Sequence, residues 1–138
     1  MTLALLLATL LFLSSLALHL GMVRWAKRIA PPDQACTLTR TLAGQLVVLL
    51  SHLLVAGLFA LGFALAASIG LGGFEKEVSM TSMDYFYFSL INVTTLGLGD
   101  IFPTGHLRVV AGVESLTGFL LISCSAQYVY KMMSKQET

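Results

Sequence analysis

The sequence predicts an all-α integral membrane protein in which three helices cross the bilayer and a shorter helix enters it and stops. Three observations carry this reading. Apolar residues make up 57% of the 138 positions and charged residues only 11%, a balance far from that of soluble domains. The apolar residues fall into three runs of about 20 residues or more, the length a spanning helix needs. Between the second and third runs lie an aromatic stretch, Tyr85-Phe86-Tyr87-Phe88, and then Thr94-Thr95-Leu96-Gly97-Leu98-Gly99-Asp100. The formal net charge of +1 argues against a nucleic-acid partner.

The first run extends from residue 3 to about residue 23. A cleaved signal peptide would carry basic residues ahead of its apolar core, whereas Arg24, Lys27 and Arg28 follow this one, so it reads as a span. His19 reads as a packed or interfacial residue, because no second ligand accompanies it. Residues 24–40 form a polar break centred on Pro31-Pro32, which cannot continue a helix. Trp25, between Arg24 and Lys27, suits the membrane interface. Residues 1–40 are thus an N-terminal helix with a basic cytoplasmic linker. Cys36 and Cys124 have no metal-ligand spacing and read as unpaired thiols.

The second run, residues 41–71, is long enough as a helix to reach about 46 Å. Gly44, Gly57 and Gly62 offer close helix approach. His52, beside Ser51, is its polar interruption. It reads as satisfied by a backbone carbonyl or water, with a pH sensor as the competing reading.

Gly72-Gly73 breaks that helix, and Glu75, Lys76 and Glu77 mark water. Thr81 precedes Asp84 by three residues, a capping-box pattern that opens a helix over 82–94. This helix is too short to span and suits a re-entrant element, its C-terminal dipole aimed where a cation would pause. Residues 101–105 are an exit turn, and 106–132 form the last helix, with Gly112 and Gly118 as flexible points. Six of the eight basic residues (Arg24, Lys27, Arg28, Arg40, Lys131, Lys135) fall on one side of this arrangement. The positive-inside rule makes that side cytoplasmic, with the N-terminus outside and the C-terminus inside.

Irregular backbone at membrane depth is tolerated only where protein buries it or where it lines a water-filled path. Gly97 and Gly99 permit left-handed backbone, so that successive carbonyls can turn to a common axis. With the aromatic helix before it and Pro103 after Asp100, the motif T-x-G-x-G-D resembles the potassium-channel family in its small prokaryotic form, with one extra N-terminal span. The likeness covers about residues 83–132, including the text from Arg108 to Gly118.

The resemblance implies a pore domain over 41–138, with outer helix 41–71, pore helix 82–94, selectivity filter 94–100 and inner helix 106–132, assembled as a homotetramer in the lipid bilayer. It implies that the carbonyls of Thr95, Leu96, Gly97 and Leu98, with the Thr95 hydroxyl and Gly99, coordinate dehydrated potassium ions. It implies that Thr94, Asp100 and Tyr87 support the filter, Tyr87 as the partner of Asp100. Potassium enters as the permeant species; no cofactor and no small-molecule ligand is expected. Leu98 stands where an aromatic residue is more usual, which loosens the expected brace around the filter. Ile91 leaves no pore-helix acid to pair with Asp100.

Glu114 lies inside the last run. It reads either as a gating or proton-sensitive carboxyl, or as a structural group paired with Arg108 or hydrogen-bonded to the pore helix. Gly118 is the expected bending point, and Ser123 and Gln127 the expected cavity-lining positions. No span carries repeated Arg, so no voltage sensor of the familiar kind is expected; seven residues follow Lys131, so no C-terminal ligand-binding domain is expected. The leading function is passive potassium conduction. Its alternatives are a weakly selective potassium/sodium channel of the same fold and a non-conducting regulatory subunit. An enzyme is not expected, since His19, His52 and His106 fall in separate segments and no nucleophile–base motif is legible.

Overall fold

Leucine and alanine fill the first run with few β-branched interruptions, and they form one straight-chain-rich helix, α1 (Thr2–Ile29). In the computed structural model, which describes residues 1–34, 37–76 and 79–134, this helix runs past the expected end. Arg24, Lys27 and Arg28 remain helical, with Lys27 and Arg28 in the last turn, where cations suit the helix dipole. Ala30 then turns to φ −132°, ψ 87°, the extended geometry that the following proline imposes. Cys36, Glu77 and Lys135 lie outside the described residues.

The second helix, α2 (Leu38–Ser68), begins and ends three residues earlier than the sequence pattern suggests. Its end is set by Gly70 at φ +76°. The amides of Gly70 and Leu71 return to the carbonyls of Ala67 (3.1 Å) and Ala66 (3.0 Å), a Schellman arrangement. Helix α3 (Ser82–Val93) starts on a capping box: the Thr81 hydroxyl accepts from the Asp84 amide, and Asp84 Oδ2 accepts from the Thr81 amide at 2.8 Å. The last helix, α4 (Leu107–Ser134), is continuous through Gly112 and Gly118.

One element departs from the all-helical expectation. Phe74–Glu75 (β1) and Phe102–Pro103 (β2) pair antiparallel, and the Thr104 amide adds a bond to the Gly73 carbonyl at 2.8 Å. Two residues on each side are too few to show strand alternation. The pair staples the loop before α3 to the loop after it.

α1 packs on α2 and α4, and α3 lies in the angle between α2 and α4. The core beside α3 is aromatic: Phe63 and Phe74 each meet Phe88 edge-to-face, at ring-centre distances of 5.2 and 4.9 Å, a favoured geometry for such pairs. At the opposite end of the bundle Ala26, Ala30, Val47, Val48, Tyr128 and Met132 form a second cluster. There the Tyr128 hydroxyl reaches the carbonyls of Ala26 (3.1 Å) and Ala30 (3.0 Å) at the end of α1, where Ala26 O also accepts from the Ala30 amide. α1, α2 and α4 are each long and apolar enough to cross a membrane.

Candidate functional site

The site is the loop 94–100 together with the surfaces of α3 and α4 that hold it. Its depth follows from one contact. A β-carbon on Gly118 would collide with the carbonyl of Val93, so the C-terminal end of α3 rests on the middle of α4. Gly118 lies about 17 Å along α4 from its start, at 1.5 Å per residue. α3 therefore enters about half of the span and stops.

Beyond Val93 the backbone alternates in hand. Thr95, Gly97 and Gly99 have positive φ (+59°, +53° and +77°), and the intervening Leu96 and Leu98 do not. Alternating hand turns successive N–H groups to one side. Three of them are bound on that side: the Thr95 amide donates to Asn92 O at 2.9 Å, and the Leu96 and Gly97 amides donate to Ile91 O at 2.9 and 3.3 Å. Among the described residues, no group donates to the carbonyls of Thr95, Leu96, Gly97 or Leu98. Thr95 is strained in this region, a cost of order 1–3 kcal/mol that its surroundings must sustain.

The side chains differ in their engagement. The Thr94 hydroxyl is bonded back to α3, to Leu90 O at 2.9 Å and Ile91 O at 3.1 Å. The Thr95 hydroxyl has no partner among the described residues. Tyr87 Oη donates to Asp100 Oδ2 at 2.8 Å, so the far end of the loop is strapped to α3 by the pair named from the sequence. Leu96 and Leu98 are 64% and 58% exposed in the single chain.

Behind the loop lies a network that the sequence only partly indicated. Glu114 is fully buried and bonded to Ser89 Oγ and, at 2.6 Å, to Asn92 Nδ2. Asn92 Nδ2 also donates to Ala111 O at 2.8 Å, and Ser115 Oγ donates to Asn92 Oδ1 at 2.9 Å. Of the partners considered for Glu114, the structure selects the short helix and not Arg108. Arg108 instead lines an outer cavity of about 570 Å³ with Glu75, Phe102, Pro103, Thr104 and Gly105. Among the described residues the ion pair is Lys76 Nζ–Asp84 Oδ1, at 2.6 Å. Together with the Thr81 bonds, Lys76 holds the Asp84 carboxyl down to about 2. Ser89, Asn92 and Ser115 carried no motif; only their small polar character inside apolar runs could have marked them.

Gly118 serves here as a contact surface, and Ser123 and Gln127 both lie on exposed parts of α4. The histidines bear out the sequence reading in all but one respect, since His19 is packed and His52 meets a backbone carbonyl. His19 is fully buried and does have a companion: its ring lies 5.0 Å from that of His52. His19 Nδ1 meets Ser51 Oγ at 2.8 Å, and both Nε2 atoms approach Ser125 Oγ, at 3.2 Å from His19 and 3.4 Å from His52. His52 Nδ1 donates to Val48 O at 2.8 Å, the backbone carbonyl expected of it. α1, α2 and α4 are thus joined by a buried polar junction. Residues 19, 52 and 125 are too far apart in sequence for local pattern to connect them.

No solved structure matches the chain. A Plasmodium berghei (strain Anka) protein named Potassium channel K2 is 32% identical over 85 residues, which is 59% of this chain and 6% of that protein. The chain therefore spans only a small part of that relative's length. The sequence family described as "Ion channel" matches residues 51–135, the stretch that contains most of α2 and all of α3, the glycine loop and α4. That match covers more than half of an integral membrane chain, which thus belongs to the ion-channel family.

Proposed function

We propose that the chain is the subunit of a homotetrameric pore that conducts potassium passively, with loop 94–100 as its selectivity filter. The observation that carries this reading is the set of unpaired carbonyls at Thr95, Leu96, Gly97 and Leu98. Their own amides, where bonded, are tied to α3. A carbonyl without a donor at membrane depth costs several kcal/mol, and rings of such groups coordinate dehydrated cations in potassium-channel filters. The free Thr95 hydroxyl completes the inner end of that set.

One loop cannot enclose an ion, so several copies must surround one axis. Four copies in a closed ring bury the exposed Leu96 and Leu98 against neighbours and leave no open contact surface. Ser123 and Gln127 then line the water-filled path below the filter. The basic end of the bundle, with Arg24, Lys27, Arg28 and Lys131, faces the cytoplasm, in a bacterial plasma membrane. No cofactor is needed, and the permeant ion is the only ligand.

Leu98 supports a second reading. Its side chain makes no aromatic brace behind the filter, and a looser filter passes sodium as well as potassium. Reversal potential under bi-ionic potassium/sodium conditions, on purified protein in planar bilayers, separates the two. A reversal near the potassium equilibrium potential supports selective conduction, one near zero supports the relaxed pore, and a protein that passes neither ion counts against both.

A further inference from the structure

Counting hydrogens around Ser89 leads beyond the conduction reading. Ser89 Oγ lies 2.6 Å from the Ala56 carbonyl of α2 and is also hydrogen-bonded to Glu114 Oε1 of α4. A hydroxyl has one hydrogen, and a backbone carbonyl has none. The Ala56 contact can only use the Ser89 hydrogen. The Glu114 contact then needs a hydrogen of its own, and only the carboxyl can supply it.

The other carboxyl oxygen is fixed as an acceptor. Asn92 Nδ2 reaches both Ala111 O (2.8 Å) and Glu114 Oε2 (2.6 Å). Ala111 O cannot donate, so the amide must present its N–H groups on this side, while Asn92 Oδ1 receives the Ser115 hydroxyl. Every group is satisfied once: Asn92 to Oε2, Oε1 to Ser89, Ser89 to Ala56.

Among the described residues, no charge lies nearby to balance a carboxylate. On α3, Asp84 is engaged by Lys76, Tyr87 by Asp100, and Tyr85 packs on Phe74. On α1 and α2, His19 and His52 meet at Ser125, eleven residues further along α4. On α4 itself, Arg108 faces the outer cavity.

We infer that Glu114 is an uncharged carboxylic acid whose own hydrogen closes a bond chain joining α2, α3 and α4, and that it acts as a positioning residue for the filter. The link to the filter is Asn92. Its side chain is held by Glu114, Ala111 and Ser115, and its backbone carbonyl receives the Thr95 amide at 2.9 Å. Removing the Glu114 proton leaves one hydrogen for two contacts, so Ser89 loses its bond either to Ala56 of α2 or to Glu114 of α4. This inference rests on the channel reading for its functional consequence alone.

The test is infrared difference spectroscopy of the whole protein in liposomes at neutral pH, wild type against Glu114→Gln. The expected result is a carboxylic-acid C=O band in wild type that shifts in D₂O and disappears in the variant. A carboxamide can repeat the pattern, donating to Ser89 and accepting from Asn92. Glu114→Gln therefore keeps potassium flux within about twofold, whereas Glu114→Ala, which takes one buried bond each from Ser89 and Asn92 and leaves a cavity between them, lowers it about tenfold or more. Wild-type flux falls toward alkaline pH, and that of Glu114→Gln does not. Absence of the acid band, or a Glu114→Gln variant that fails to assemble, overturns the inference. The band is read without ion flow, so a silent pore counts against the conduction reading and leaves the state of Glu114 to be decided by the spectrum.

Discussion

The carbonyl of Val93 occupies the space that a β-carbon on Gly118 would need, and this one contact fixes how deep the short helix sits. Gly118→Ala must therefore push α3 and α4 apart. Overpacking of this kind costs about 1–3 kcal/mol, and the collision is with backbone, which cannot rotate away. The thermal midpoint of the detergent-solubilised assembly is expected to fall, whereas Gly112→Ala, where a β-carbon meets open space in the single chain, serves as the comparison. Equal midpoints for Gly118→Ala and wild type would remove the contact's significance.

Tyr87→Phe deletes the bond from α3 to Asp100 and leaves the ring in place. The loop should lose definition at its far end, and the potassium-to-sodium permeability ratio is expected to drop severalfold, about the effect of one hydrogen bond to a charged group. Bi-ionic reversal potentials measure it. A ratio equal to wild type would show that the strap is dispensable.

Gly97→Ala places a β-carbon on a residue at φ +53°. The left-handed region costs about 1–2 kcal/mol per residue with a β-carbon, although nothing lies within reach of that carbon in the single chain. Assembly should survive while flux in a liposome assay is lost. Retained flux would mean that the loop conformation is not needed for conduction.

Asp84 sets an acid limit on the start of α3. Its carboxyl is held down to about 2 by Lys76 first and by Thr81 second. A depressed carboxyl contributes stability that is present above the unfolded value, near 4. That stability is lost as pH falls toward 2. Circular-dichroism melts should show wild type losing stability across that window, with a shallower loss in Asp84→Asn. Parallel slopes for the two proteins would assign the acid sensitivity elsewhere.

His19→Ala removes the imidazole on which Ser51 and Ser125 converge. The loss strands the buried Ser51 hydroxyl at about 1–3 kcal/mol, whereas Ser125 keeps its bond to Leu121 O. Because the junction joins α1 to both α2 and α4, protease access to the linker around Pro31-Pro32 should rise in His19→Ala. An unchanged digestion rate would mean that apolar packing alone seats α1.

Much of this architecture is legible in the chain because it is local. The three long helices follow from uninterrupted apolar runs, the start of α3 from Thr81 and Asp84, and the loop conformation from glycines two positions apart. Helix ends were less legible. Arg24–Arg28 reads as a break by polarity, yet the helix continues because basic residues suit its last turn and the proline lies further on. The strand pair escaped notice because it joins residues 27 and 29 positions apart through two residues a side. The polar contacts of Ser89, Asn92 and Ser115, and the meeting of His19 with His52, exist only once helices pack. Single polar residues in apolar runs announce that some partner exists without saying which.

The hydrogen bonding of the loop is uneven along its length. The amides of Thr95, Leu96 and Gly97 are tied to α3, whereas those of Leu98, Gly99, Asp100 and Ile101 find no main-chain partner among the described residues. Stiffness is thus built into the first half of the loop by its own subunit, and the second half hangs from the Tyr87–Asp100 strap. In the proposed tetramer, any rigidity beyond that strap is lent by adjacent copies. The second half of the loop is then the compliant end, and under that reading its order is a property of the ring rather than of the chain.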